Sequence, residues 1–140
     1  PEVARVQADE KFKRAAAGGT FGVVKRLRDT NGDGRMDVAD LFATNLPPAY
    51  GLVPARGGII VACAPDIVFL KDLNSDDKPD VQEKLFSGFG TGALERGINA
   101  PTWGVDHWLY FGRGWNGGKI IGPHLAKPVT LPQKKPVPNP

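Results

Sequence analysis

Residues 29–40 read DTNGDGRMDVAD and residues 72–83 read DLNSDDKPDVQE, one acidic pattern written twice at an interval of 43 residues. Oxygen-bearing side chains recur at every second position in both. Such spacing turns hard oxygen donors toward one point, as in a Ca²⁺ loop. There positions 1, 3, 5, 9 and 12 supply side chains, position 7 its carbonyl, and position 6 is a glycine at a sharp bend. The first stretch offers Asp29, Asn31, Asp33, Arg35 (by its carbonyl), Asp37 and Asp40, with Gly34 at the bend. The second offers Asp72, Asn74, Asp76, Lys78 (by its carbonyl), Asp80 and Glu83, with Asp77 in place of the glycine. Asp tolerates a positive φ better than most residues with a Cβ, so the second loop is expected to survive, stiffened by Pro79. Asp, Asn and Gly also build plain tight turns, in which their side chains bond the local backbone. Arg35 and Lys78 can neutralise charge without a metal. Any calcium role is expected to be structural, tying strand to strand.

The flanks decide against a helical hand. Gly22-Val-Val-Lys-Arg-Leu-Arg28 leads into the first loop and Pro65-Asp-Ile-Val-Phe-Leu-Lys71 into the second. Both are β-branched or aromatic and too short for a stable helix. Val38-Ala-Asp-Leu-Phe42 and Val81-Gln-Glu-Lys-Leu-Phe86 leave the loops with the same apolar spacing. Each loop therefore reads as a β-hairpin connection. Further apolar runs follow each hairpin, near Tyr50–Val61 and Pro101–Tyr110. Four short strands in a period in the low forties is the arithmetic of a β-propeller blade.

The expected fold is therefore all-β: a partial β-propeller of two to three four-stranded blades carrying acidic calcium-type loops. Residues 1–20 are read as a lead-in whose stretch Val3–Ala17 is expected as a short amphipathic helix or plain chain, residues 21–122 as the blades (repeats about 22–64 and 65–112), and residues 123–140 as a Pro-rich tail that reads as extended chain rather than fold. Lys119-Ile-Ile121 reads as the start of another strand or blade. The stretch Phe89–Asn99 is longer than its counterpart near Asn45–Ala49, and a loop that lengthens in one copy is a usual seat of function.

The bulk numbers exclude several classes. Eighteen glycines and thirteen prolines point to many turns, and 18 basic against 15 acidic side chains leave too small a surplus for nucleic-acid binding. No apolar run approaches a membrane span. Cys63 is the single cysteine, so there is no internal disulfide and no Cys-x-x-Cys-His haem attachment site. Its apolar run, Ile59–Ala64, makes it a buried, inert thiol. Residue 1 is Pro rather than Met, as expected of a processed product or a piece of a longer chain. Loops of this kind suit millimolar calcium, so the expected location is extracytoplasmic, periplasmic or secreted. An open set of blades leaves sheet edges bare, so the expected partners are other protein subunits or further copies that complete the propeller.

The segments RDTNGDGRMD, APDIVFLKD, DVQEKLFSGFGTG and WGVDHWLYFGRG together resemble secreted bacterial β-propellers of the membrane-bound dehydrogenase family, which is similar to sorbosone and soluble glucose dehydrogenases; the resemblance covers about residues 20–118. It implies a quinone cofactor (PQQ) at the propeller axis, held by a His base with Arg or Lys partners. The chain departs from the family where the base is expected: Glu95–Ala100 keeps Asn99 but has no histidine, and Asp106-His107 replaces the family's Asp-Gly turn. The catalytic set is thus incomplete and the catalytic residues stay unassigned. Arg96, Asn99, Arg113 and Trp115 are the remaining ligand-binding candidates, with Trp115 a possible stacking platform and Trp103 and Trp108 expected in the core. The first reading is a calcium-stabilised structural or binding subunit of an extracytoplasmic assembly. The alternatives are a fragment of a quinone-dependent sugar or alcohol dehydrogenase, and a calcium-dependent adhesion or docking module.

Overall fold

The computed structural model describes residues 19–92 and 97–133, and over these the chain is all-β. The strands are β1 (Gly22–Arg28), β2 (Val38–Leu46), β3 (Gly51–Ala55), β4 (Gly58–Cys63), β5 (Asp66–Lys71), β6 (Val81–Phe89), β7 (Ile98–Trp103), β8 (Leu109–Arg113), β9 (Gly118–Ile121) and β10 (Val129–Leu131). All pairings are antiparallel. They form a six-stranded sheet in the order β10-β9-β6-β5-β4-β3 and two separate hairpins, β1-β2 and β7-β8.

The central strands explain the layering. β4 (GIIVAC) and β5 (DIVFLK) are apolar along nearly their whole length, which a strand tolerates only when both its faces are covered. Val61, Cys63, Val68 and Leu70 point to one face and pack with Val24, Ala43 and Leu46 of the β1-β2 hairpin. Val53, Ile60, Ala62 and Ile67 point to the other and pack with Ile98 of β7, with Leu109 and Phe111 of β8 against them. The central sheet thus lies between two hairpins, with one apolar cluster on each side. Leu70 and Val61 are fully buried, and each such side chain contributes about 1.5–3 kcal/mol of transfer free energy.

The two hairpins that carry acidic loops have one register. β1 and β2 pair Val24↔Ala43, Lys25↔Leu41, Arg26↔Asp40, Leu27↔Ala39 and Arg28↔Val38. β5 and β6 pair Ile67↔Phe86, Val68↔Lys84, Phe69↔Glu83, Leu70↔Gln82 and Lys71↔Val81. Each pair of the second is a pair of the first moved 43 residues along the chain. The irregularity also falls in the same place, leaving Phe42 and Leu85 as the extra residues. A bulge at a fixed distance from a loop fixes twist as well as register.

The hydrogen bonds group the strands in a different phase from the 22–64 and 65–112 units read from the sequence. The continuous four-stranded meander is β3-β4-β5-β6, residues 51–89, with β1-β2 before it and β7-β8 after. Asn45 at φ 57 and the following Pro47-Pro48, which lack amide donors, end β2. Tyr50 then donates its amide to the Ala62 carbonyl at 2.8 Å and starts β3 on β4. β3 lies close beneath β7: a Cβ on Gly51 would come within 2.7 Å of the Pro101 ring, and the Trp103 indole donates to the Pro54 carbonyl at 2.9 Å.

Two expectations are corrected. Lys119-Ile-Ile121 is a strand, as expected, within β9, but it opens no further sheet, because β9 pairs with β6. The tail is not free of fold, because Val129–Leu131, its one proline-free β-forming run, pairs with β9 as an edge strand. The lead-in helix over Val3–Ala17 falls outside the described residues. No helix among the described residues is long and apolar enough to cross a membrane.

Candidate metal centre

Both acidic loops close their hairpins with side-chain oxygens bound to backbone amides. In the first, Asp29 accepts from the amides of Gly32 (2.7 Å) and Gly34 (2.8 Å), Asn31 from Asp33 (3.0 Å), Asp33 from Arg35 (2.8 Å), and Asp37 from Thr30 (3.1 Å). In the second, Asp72 accepts from Ser75 (2.7 Å) and Asp77 (3.0 Å), Asn74 from Asp76 (3.0 Å), Asp76 from Lys78 (2.9 Å), and Asp80 from Leu73 (2.7 Å). Donor and acceptor hold the same loop positions in both. Positions 4 and 6 carry positive φ in each: Gly32 (77°) and Gly34 (84°), Ser75 (66°) and Asp77 (66°). The second loop keeps the backbone of the first without its glycines.

These bonds bias the carboxyls toward the ionised form. The Gly34 amide, helped by that of Gly32, holds Asp29 below the ordinary carboxylate pKa. The Thr30 hydroxyl and amide do the same for Asp37. At Asp72 desolvation acts upward, but the amides of Ser75, Asp77, Asn74 and Asp76 together outweigh it.

The donor chemistry fits Ca²⁺ in part. Each loop brings three carboxylates, one amide oxygen and one carbonyl to positions 1, 3, 5, 9 and 7, all hard oxygens. A carboxylate has about four lone-pair sites, so one that serves a backbone amide still has capacity for a cation. Position 12 does not fit. Asp37 returns the chain to the ladder, its amide donating to the Arg28 carbonyl at 3.0 Å, so Asp40 lies three residues up β2. At about 3.3 Å per residue that is roughly 10 Å beyond position 9. Asp40 instead pairs with Arg28, and Glu83 lies on β6 opposite Phe69. Among the described residues no three His, Cys, Asp or Glu side chains gather as a metal-binding group. A cation at either loop would complete its shell with water.

The sequence reading missed what Asp77 does. Its carboxylate pairs with Arg26 of β1 and lies 3.8 Å from Arg28. The residue in the glycine's place therefore fastens the second loop to the neighbouring hairpin. A charged residue at a bend that prefers glycine was the available signal. A second polar group was also missed. Asp66, only 5% exposed at the start of β5, accepts from the Ser87 hydroxyl at 2.5 Å and pairs with Lys84 at 2.7 Å. Its hydrogen bond holds Lys84 above the ordinary lysine pKa. Burial, with Asp66 nearby, pushes the Cys63 thiol up to about 12, which makes it inert.

The ligand-binding candidates do not form one site. Arg96 lies outside the described residues. Asn99 and Arg113 sit at the same end of β7-β8, but the Asn99 amide donates to the Gly97 carbonyl (3.5 Å) and the Arg113 guanidinium to the Pro132 carbonyl (3.0 Å). Trp115 is half-buried. The exposed ring is Trp108, 72% accessible, and Trp103 is 46% accessible, so the core placement expected for both is corrected. The reason is that β7-β8 covers the central sheet with one face only and leaves the other to solvent. A cavity of about 550 Å³ beside Asn116 is walled by glycines, Thr130, Leu131, Pro132 and Gln133 and has no ionisable side chain.

The profile of one protein family, described as Domain of unknown function (DUF7133), matches residues 6–134. No curated protein and no solved structure matches the chain.

Proposed function

The chain belongs to the DUF7133 family, and we propose that it is a calcium-stabilised β-propeller module serving as a structural or binding subunit of an extracytoplasmic assembly. The observation that supports this most is the identity of the β1-β2 and β5-β6 hairpins in register, bulge position and loop hydrogen bonding at an interval of 43 residues. A four-stranded meander flanked by matching hairpins is what successive blades provide. Calcium at positions 1, 3, 5, 7 and 9 would brace the hairpin ends, and the bracing matters where calcium is millimolar, outside the cytoplasm. The role is read as structural because both loops close hairpins, where a bound cation would tie one strand to the next.

Calorimetric titration and thermal melts test it. Modules of this kind bind calcium with Kd about 10⁻⁴–10⁻³ M, so 10 mM Ca²⁺ should stabilise the fold by about 1.4–2.7 kcal/mol. A rise in Tm of several degrees is expected with Ca²⁺. The double variant Asp33→Ala/Asp76→Ala should lose both the rise and the binding heat. A melt that ignores 10 mM Ca²⁺ refutes the calcium reading.

A further inference from the structure

We propose that Asp77 makes the second loop and the β1-β2 hairpin one cooperative unit, so that a change in the shape of that loop is felt in the neighbouring layer. The link runs through one residue. The Asp77 amide donates to the Asp72 carboxylate at 3.0 Å, and the same carboxylate accepts from the Ser75 amide at 2.7 Å. The Asp77 carboxylate pairs with Arg26 and lies 3.8 Å from Arg28. Residue 77 is held at φ 66° between these two attachments. If Asp72 releases the amide, the residue's own preference opposes that angle. A return to negative φ then swings the side chain away from Arg26. The backbone inside the loop and the ion pair between layers therefore stand or fall together.

The fold gives this link weight. Among the described residues β1-β2 shares no ladder with the central sheet. Its apolar contact with that sheet, through Val24, Ala43 and Leu46, is non-directional. The ion pair is directional, and it ties β1 near its loop end to one place on the next layer. Arg28 also holds Asp40 of β2, so both strands of the hairpin are attached to the same group of charges. The first loop lacks the device. Its sixth position is Gly34, at φ 84°, whose amide donates to Asp29 at 2.8 Å but which has no side chain to carry the constraint outward. The two loops share one backbone and differ in what they transmit. The link holds with or without a cation. On the calcium reading proposed above, it names the loop whose occupancy the neighbouring layer feels through Asp77.

Hydrogen exchange of the full chain, read amide by amide, tests it. A coupling acts equally in both directions. A largely exposed ion pair bounds its size at about 1.5- to 5-fold in exchange rate. Asp72→Asn, which leaves one oxygen where two served, should speed exchange along β1-β2 by that factor relative to β3-β4. In an Asp77→Gly background the same change should speed exchange in β5-β6 only. Arg26→Ala should speed exchange at the Ser75 and Asp77 amides by a similar factor, a reading that stands even if Asp72→Asn does not fold. Equal loosening of β1-β2 in both backgrounds overturns the proposal, as does unchanged exchange at Ser75 and Asp77 in Arg26→Ala. Asp33→Ala separates the link from the calcium reading, since only its second loop keeps the full ligand set. Calcium that slows exchange at Ser75 and Asp77 in that variant, but not along β1-β2, sinks the link alone. The expected variant effects with no response to calcium sink the calcium reading alone.

Discussion

Replacing Asp77 by glycine restores the residue that a calcium-type bend prefers, yet it should leave stability almost unchanged. Two effects oppose each other. The backbone at residue 77 has φ 66°, where a residue with a Cβ is strained, and glycine relieves about 0.5–1 kcal/mol there. The same change removes the carboxylate that pairs with Arg26 and lies near Arg28. Exposed ion pairs contribute about 0.2–1 kcal/mol. Asp77 is 24% exposed while its arginines are 43–53% exposed, which argues for the upper part of that range and no more. Asp77→Gly should therefore come within about 0.5 kcal/mol of the parent. Asp77→Asn, which keeps tolerance of positive φ but not the charge, should lose about 0.5–1 kcal/mol. In an Arg26→Ala background the glycine variant should become the more stable of the two by about the strain relief alone.

Urea melts at 20 mM and 500 mM salt measure all of this. The loss in Asp77→Asn should shrink at high salt, since the Debye length falls to a few ångströms. Equal destabilisation by glycine and asparagine, or no coupling between residues 26 and 77 at low salt, refutes the clamp.

Removing the partner of the buried carboxylate should cost more than removing any surface ion pair. Lys84→Met leaves Asp66 buried with only the Ser87 hydroxyl and should cost about 1–3 kcal/mol in chemical melts. The pKa of Lys84 is raised in the folded state, so its contribution is complete below the ordinary lysine value of about 10.4 and fades as pH rises through the higher folded value. Melts between pH 9 and 12 should show that fading in the parent and not in Lys84→Met. Asp29, Asp37 and Asp72 have lowered folded values, so their stabilisation is complete above about pH 3.9 and lost as pH falls through the depressed values. Melts from pH 5 to 2 should show less acid sensitivity in Asp29→Asn than in the parent. Leu70→Ala, at a fully buried position between the central sheet and β1-β2, should cost about 2.7–5 kcal/mol in the same urea assay.

Where the loops fall, that they join antiparallel strands, and where the strands beside them run were legible because they depend on local chemistry; β10, inside the Pro-rich tail, was not. Alternating oxygens, flanks too short for helices and apolar runs between prolines and glycines each act over a few residues. Which strands share a sheet was not legible, because it depends on partners far along the chain. Nothing within Gly22–Arg28 says that β1 will pair with β2 alone among the described residues, or that β9 will return to β6. The expected ligand set also assumed that the twelfth position returns to the loop, and it does not, for a related reason. In a helical hand the twelfth residue returns to the ion because the chain coils. Here Asp37 sends the chain straight into β2, and Asp40 finds Arg28 across the ladder instead. The tryptophans were misplaced because their alternation with polar residues says that one strand face is apolar, not whether that face has a layer to lie against.

The second loop shows what holds this geometry in place. It has lost the glycines at positions 4 and 6, taking Ser75 and Asp77 instead, yet both residues stay at positive φ. Intrinsic preference alone would relax that backbone. Two constraints oppose the relaxation. The Asp72 carboxylate accepts amides from both sites, and either amide would turn away if φ changed sign. The bulge at Leu85 and the five pairs between β5 and β6 fix where the loop must begin and end. With its ends fixed and its centre bound to one carboxylate, the loop has a single economical path, and the side chain at position 6 is released from a backbone duty. Asp77 uses that freedom to reach Arg26 in the adjacent layer. A feature that looks like decay of a metal motif is, in three dimensions, a contact between layers, and the backbone that would present oxygens to a cation is kept intact beneath it.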